Sequence, residues 1–341
     1  MRNRILVTGG TGFIGSHTVV ELIEHDFDVV IIDDLSNSTA EIVDKIEEIT
    51  GIRPYFHKLD LCDMSALKNC LETYDKIDGI IHFAASKAVG ESVVKPLLYY
   101  RNNLVSLMNL IECMYEFEIP NMVFSSSCTV YGQPDKLPVD ETAVFKEATS
   151  PYGNTKQICE DIIRDVANAS PSFNFTALRY FNPVGAHKSG LIGELPSGVP
   201  SNLVPFITQT AAGIIESLKV FGDDYDTHDG TAVRDYIHVV DLAKAHVKTV
   251  ERLLSGKGNA NYEYFNVGTG KGYTVKDVIN AFEKVTGVKL NYEIAPRREG
   301  DIEKIYADPS LANIELEWKA EKSIDEMMKS AWQWQKNLMD Q

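Results

Sequence analysis

The sequence predicts an α/β protein in which a doubly wound parallel sheet carries a second, smaller, mixed α/β lobe. Three observations predict it: short β-branched runs alternate with longer amphipathic stretches in the first half, a glycine-rich turn follows the first run directly, and the texture changes past residue 182. Runs at 5–7, 29–32, 80–83, 122–124 and 176–179 read as strands, and their alternation with helices selects parallel pairing. Between them Val19 and Ile23, and later Leu104, Leu107, Met108 and Ile111, recur at helical spacing and predict helices with one buried face. After Phe181-Asn182-Pro183, glycine and proline crowd positions 183–205, which predicts a loop-rich second lobe. The expected division is a first domain over 1–182 and a second lobe mainly over 183–341, with 236–240 and 264–267 returning to the first sheet.

The 341 residues, 44% hydrophobic and 24% charged, suffice for one large core or two cooperating lobes. With 33 basic against 49 acidic side chains, the net charge of −16 disfavours nucleic acid and anionic membrane surfaces as partners. An anionic ligand must then be met by arginines placed locally. The five cysteines (Cys62, Cys70, Cys113, Cys128 and Cys159) contain no CxxC pair and are expected to be free thiols in a reducing cytoplasm; no metal is expected. The start runs straight into a strand and no apolar run reaches the length of a membrane span, so neither export nor insertion is expected. Glycosylation-type triplets at Asn37 and Asn174 accordingly read as chance.

Ile5-Leu6-Val7-Thr8-Gly9-Gly10-Thr11-Gly12-Phe13-Ile14-Gly15 joins an apolar strand to an amphipathic helix through a glycine-rich turn. Gly9 permits the tight turn, Gly12 lets the backbone approach a pyrophosphate, and Gly15 lets the helix sit close to the strand. The helix amino terminus then offers free N–H groups and a partial positive charge to the phosphates. Such a triplet also serves plain connections; the context makes it a Rossmann-type fingerprint. Asp33, 18 positions beyond Gly15, closes the second strand where a ribose hydroxyl acceptor is expected. Asp34 follows with no base adjoining, so a 2′-phosphate would meet two carboxylates and the expected cofactor is NAD rather than NADP. Asp60-Leu61 and Phe83-Ala84-Ala85 close two more strands at the same carboxyl edge, with small residues leaving room for adenine and nicotinamide.

Ser150-Pro151-Tyr152-Gly153-Asn154-Thr155-Lys156 places serine at an N-cap and proline at the first helical position, so Tyr152 opens a helix. Lys156, four residues on, shares its face. A phenol titrates near pH ~10 in water; a lysine, a helix amino terminus and an oxidised nicotinamide would all stabilise its anion and make it a base near neutral pH. One Tyr-x-x-x-Lys is expected by chance in a chain of this composition, and this is the single instance. Ser127, in Ser125-Ser126-Ser127-Cys128-Thr129-Val130-Tyr131-Gly132 at the end of a strand, is the candidate partner for the reacting oxygen, although serine runs at strand ends more often serve as turns.

These segments together resemble the extended short-chain dehydrogenase/reductase family, and within it the UDP-glucose 4-epimerase family. The resemblance runs through 9–17, 82–92 (HFAASKAVGES), 125–132, 150–156, 178–187 (LRYFNPVGAH), 233–238 (VRDYIH) and 295–301 (APRREGD). It implies NAD contacts from Phe13, Ile14, Asp33, Asn37, Ser38, Asp60, Leu61, Phe83, Lys87, Asn102, Tyr152, Lys156 and Phe181. It implies UDP-sugar contacts from Lys87, Ser127, Asn182, Asn202, Leu203, Phe221, Arg234, Arg298 and Asp301. Arg234 and Arg298 would neutralise the pyrophosphate with forked donors, and Phe221 would stack on uracil.

The implied activity is reversible epimerisation of UDP-glucose and UDP-galactose through a 4-keto sugar, with Tyr152 as base and NAD retained. Related dehydratases and decarboxylases carry an acidic residue beside the catalytic serine or threonine; here stand Cys128 and Thr129, which favours epimerisation. Ile305 falls where the family carries a bulky tyrosine or a small cysteine, so acceptance of UDP-N-acetylhexosamines is open. Ala85-Ser86 departs from the usual Ala-Gly. A homodimer through helices at about 92–116 is also implied. The rival from another class is a sensor that binds NAD or UDP-sugar without turnover, against which the intact Ser127, Tyr152 and Lys156 set argues.

Overall fold

The computed structural model describes residues 2–196, 198–298 and 301–340. Glu299 and Gly300, inside the string at 295–301, lie outside the described residues. Through the first half, strand and helix alternate: β1 (Arg4–Thr8), α1 (Phe13–Glu24), β2 (Asp28–Asp33), α2 (Glu41–Thr50), β3 (Tyr55–Lys58), α3 (Met64–Leu71) and β4 (Gly79–His82). Then come α4 (Val89–Val94), α5 (Pro96–Glu116), β5 (Asn121–Ser127), α6 (Pro151–Ala169) and β6 (Asn174–Tyr180). The later chain supplies β7 (Asn182–Val184), α7 (Leu203–Ala211), β8 (Leu218–Phe221), β9 (Val233–His238), α8 (Val239–Leu254) and β10 (Tyr262–Val267). It ends with β11 (Gly272–Thr274), α9 (Val275–Thr286), β12 (Tyr292–Ala295), β13 (Lys304–Ile305), α10 (Ser310–Glu315) and α11 (Ile324–Met339).

Seven parallel strands form the main sheet in the order β10-β6-β5-β4-β1-β2-β3. This is the doubly wound architecture the sequence predicts. Its central strands are apolar without alternation because helices cover both faces. Ile5, Val7 and Ile31 face the layer of α1, α2 and α8, while Leu6, Val30 and Ile32 face α3, α5 and α6. Strand order reverses between β1 and β4, which opens a crevice at the carboxyl ends of these two strands.

The second lobe is built on β9, which pairs with β11, β13 and β7, and on the β8–β12 pair. Its core draws Val204 and Ile207 from α7, Val278 and Phe282 from α9, and Met327 and Met328 from α11. Here the structure corrects one expectation. Residues 236–240 do not return to the main sheet: the strand at 233–238 is β9 of the small sheet, and Val239 already begins α8, capped by the His238 ring that accepts from the Val240 N–H at 3.1 Å. A β-branched run suits either sheet, and its sequence does not say which edge receives it. Residues 262–267, by contrast, form β10 beside β6. On α5 the buried stripe follows Leu107, Leu110, Ile111 and Met114, and Met108 falls outside it, exposed.

Among the described residues no helix is long and apolar enough to cross a membrane. Leu6 of the interior strand β1 is fully buried under α3 and α5. Leu6→Ala is expected to destabilise the fold by about 2–5 kcal/mol, seen as a lowered urea midpoint with an unchanged slope.

Candidate active site

At the crevice the β1–α1 turn is held by contacts that only glycine tolerates. Gly9 has φ +70°, and a Cβ there would lie 2.8 Å from the Ala84 amide that follows β4. A Cβ on Gly15 would lie 2.1 Å from the Gly9 carbonyl oxygen, so α1 can approach β1 only with glycine at this point. Gly12 is the N-cap of α1 and makes no side-chain cap, leaving the donors of the first turn, which includes Phe13 and Ile14, for an external anion.

Asp33 ends β2 almost buried. Its carboxylate accepts from the Thr11 N–H at 3.2 Å, the Leu35 N–H at 3.0 Å and the Ser38 hydroxyl at 3.1 Å. An ionised carboxylate has about four acceptor positions, so one remains, which fits a ribose hydroxyl. Asn37 is exposed in the same loop.

The rest of the rim follows β3 and β4. Asp60 caps its own turn through the Cys62 N–H, and the Leu61 carbonyl accepts from Asn109. Phe83 packs against His246, and Ala84 and Ala85 are half-buried beside it. Asn102 donates to Ser86 at 3.2 Å. Its neighbour Asn103, which sequence reasoning passed over, ties Ser86 to Thr155 of α6. Thr11 was passed over too; its signal was its place inside the turn. An Asn inside a helical pattern carries no such signal.

Ser127 ends β5, and Ser150 caps α6 by accepting from the Gly153 N–H at 3.1 Å, which starts the helix at Pro151 and Tyr152. Two non-adjacent segments thereby meet at the carboxyl edge of the sheet. The Lys156 ammonium is buried, donates to the Ser125 carbonyl at 2.7 Å, and stands 4.8 Å from the Phe124 ring centroid and 5.9 Å from that of Tyr152. It lies under the tyrosine ring, with its hydrogen bond to the strand. Burial lowers its pKa to about 8. Burial raises that of the Tyr152 phenol, Tyr180 adds to the rise, and the Ser127 hydroxyl opposes it. A further positive charge at the phenol is therefore what ionisation near neutral pH requires. The Ser127 Oγ also accepts from the Thr129 N–H at 3.2 Å.

The second lobe gathers two arginines around one carboxylate. Asp301 accepts from Arg234 at 2.7 Å and from Arg298 at 3.2 Å, and the Arg298 guanidinium lies 4.9 Å from the Phe221 ring centroid. Two guanidinia against one carboxylate leave net positive charge beside an aromatic face. Ile305 stands opposite Arg234 in the β13–β9 pairing and is buried with Phe181, Val130 and Tyr131. Asn182 pairs across from Tyr236, and Leu203 opens α7.

Glu194, absent from the sequence reading, accepts from Asn202 at 2.6 Å and faces Lys87 at 3.8 Å. Burial raises its pKa, while Lys87 and Asn202 pull it down. No local pattern signals a contact between Lys87 and the loop that carries Glu194 and Asn202, so far apart in the chain.

The sheet, its glycine turn and the Ser-Tyr-Lys set define a dinucleotide-dependent enzyme of the short-chain dehydrogenase/reductase class. Residues 6–331 match the family model described as GDP-mannose 4,6 dehydratase. The chain is similar to UDP-glucose 4-epimerase of Pasteurella multocida (strain Pm70), at 50% identity over 332 residues and 97% of both chains. It is similar to that of Homo sapiens at 48% identity over 342 residues, covering 98% of this chain and 97% of the relative. Among solved structures it is similar to UDP-glucose 4-epimerase from Bifidobacterium longum in complex with NAD+ and UDP, at 46% identity and TM-score 0.94 over 98% of both chains. The Stenotrophomonas maltophila enzyme with bound NAD and formylated UDP-arabinopyranose aligns at 46% identity and TM-score 0.96, covering 100% of this chain and 99% of that one. The chain belongs to the UDP-glucose 4-epimerase family within that class.

Four histidines around the crevice and beneath it are buried neutral. Burial drives His17 and His82 down to about 3 and His238 and His246 to about 4, from the usual 6.5. Below 6.5 the unfolded chain takes up protons that these rings refuse, so their contribution is fully present above that pH and is lost as pH falls towards 4. The thermal midpoint, followed by circular dichroism, is expected to hold between pH 7 and 8 and to fall progressively below about pH 6.5.

Proposed function

We propose that this chain is an isomerase that interconverts UDP-glucose and UDP-galactose at carbon 4 with NAD held throughout, acting in the cytoplasm as a homodimer. The observation that carries the reading is the convergence of Ser127, Tyr152 and Lys156 on the crevice that the Gly9 to Gly15 turn and Asp33 also line. The proposed division of labour gives the dinucleotide to the lobe of residues 1–182, together with β10, and the UDP half of the substrate mainly to 183–341. Apolar side chains exposed on α4 and α5, among them Val94 and Leu97, each 78% exposed, support the dimer. Five free cysteines support a reducing compartment.

When bound, oxidised NAD supplies a reversible hydride acceptor and a positive charge. Tyr152 takes the proton of the sugar 4-hydroxyl and later returns it, and Ser127 holds the same oxygen by a hydrogen bond. Lys156, clamped to the Ser125 carbonyl, sets the field beneath the phenol. Arg234, Arg298 and Phe221 grip the nucleotide diphosphate, so binding energy sits in the half of the substrate that does not react and the hexose is free to present its other face. Cys128 follows Ser127 where dehydratases carry a carboxylate; burial pushes its thiol up to about 12, so it stays protonated and supplies no base for elimination. This favours epimerisation over the activity for which the matching family model is named.

Tyr152→Phe is expected to keep bound NAD, read from the absorbance of the released cofactor, and to lose about 10²- to 10⁴-fold in turnover of UDP-galactose. Undiminished turnover would remove Tyr152 as the base, and cofactor-replete wild-type protein with no turnover would favour the sensor. Ile305 decides how much room lies behind Arg234. Ile305→Ala is expected to raise kcat/KM for UDP-N-acetylgalactosamine relative to UDP-galactose by about 10-fold, measured by chromatography of the products.

A further inference from the structure

One turn beyond Lys156 and two beyond Tyr152, the same face of α6 carries Glu160, only 2% exposed. Its carboxylate gathers three other strands. Arg179 of β6 donates through Nη2 at 2.6 Å and through Nε at 3.0 and 3.2 Å, Ser126 of β5 donates through its hydroxyl, and Tyr262 of β10 donates at 2.8 Å. Arg179, 4% exposed, stacks 4.0 Å from the Tyr264 ring centroid and donates to the Tyr131 hydroxyl at 3.1 Å. Stability alone is a poor reason for such a pair, because well-packed apolar residues of similar volume often serve as well.

Its position gives a better one. Ser126, which Glu160 grips, lies between Ser125, whose carbonyl holds the Lys156 ammonium, and Ser127. Two successive turns of α6 therefore clasp successive residues of β5, and the register of this clasp sets where Tyr152 stands relative to Ser127.

The geometry points to Glu160 as a positioning residue for the reaction: through Ser126 and Arg179 it locks α6 in register on β5, and so fixes where Tyr152 and Lys156 stand relative to Ser127. The inference rests on the proposed epimerase reading. The titratable groups around Lys156 are Tyr152, Cys159 and Glu160 on α6 and His82 on β4, with Arg179 of β6 beyond Glu160. Burial lowers Lys156, and Cys159 and Glu160 raise it. Burial holds the Cys159 thiol up at about 12 and drives His82 down to about 3, so near neutral pH both are uncharged, which leaves Glu160 as the contribution that raises Lys156. Without it, Lys156 loses its proton at lower pH.

The test uses the NAD-loaded full chain with UDP-galactose, comparing wild type, Glu160→Gln, and Glu160→Gln/Arg179→Met. The double variant strands no buried cation, so it folds where the single one fails. Expected in both variants are a kcat lowered about 10- to 100-fold and an unchanged KM in protein that retains its NAD, and in Glu160→Gln, which keeps the Arg179 charge, an alkaline limb of the kcat–pH profile moved to lower pH. A double variant with wild-type kcat and pH profile, whatever its thermal midpoint, would overturn the inference. In Glu160→Gln a lowered kcat with an unmoved alkaline limb would overturn it too, because loosened packing alone produces that. No turnover by the wild type would instead sink the epimerase reading, and this inference with it.

Discussion

The seam between α6 and β5 is where the chemistry of this chain and its packing become one problem. A lysine almost without solvent must find an acceptor, and it finds the Ser125 carbonyl at 2.7 Å. That single bond places the ammonium beneath the Tyr152 ring, at the end of the strand that carries Ser127. Breaking it would leave a buried charge without a partner, which is far more costly than the bond is stabilising. The helix is therefore held in one axial position on the sheet, and the tyrosine with it. Desolvation also lowers the lysine pKa to about 8 and raises that of the phenol, so a further positive charge would shift the balance towards the phenolate.

A second constraint acts at the other side of the crevice. Because α1 can rest on β1 only across Gly15, the helix amino terminus is brought to the carboxyl edge of the sheet with its donors uncapped. Strand order reverses at β1 and β4, so the floor of the crevice is open between them, and the α6–β5 seam lies two strands away from β1. The uncapped α1 terminus and Tyr152 therefore stand on the same carboxyl edge, two strands apart.

The net charge of −16 makes the second lobe more than a lid. An anion approaching this protein meets an unfavourable average field, and the proposed substrate grip answers it with the arginines at Asp301. That carboxylate orders two guanidinia without cancelling both, and it comes from a loop reached only after the chain has crossed between lobes. The pairing of these arginines is thus an outcome of tertiary folding, while the glycine turn is local.

Sequence by itself determined the features whose physics is short in range. The parallel sheet was legible because two-sided burial demands unbroken apolar strands. The glycine turn was legible because close backbone approach forbids a Cβ, and the start of α6 because Ser150 and Pro151 are a cap and a first turn. Asp33 and the Tyr152–Lys156 spacing belong with these, since both follow from position along one element. Tertiary structure alone decided that β9 joins the small sheet, that Lys156 bonds to Ser125, that Glu194 faces Lys87 and Asn202, and that Glu160 lies against Arg179. Each of these is a contact between different turns of the chain that no local pattern specifies. A β-branched run fits more than one edge, and a charged side chain looks the same in sequence whether it ends in water or in a buried pair. Only the closing of the fold removes the water and chooses the partner.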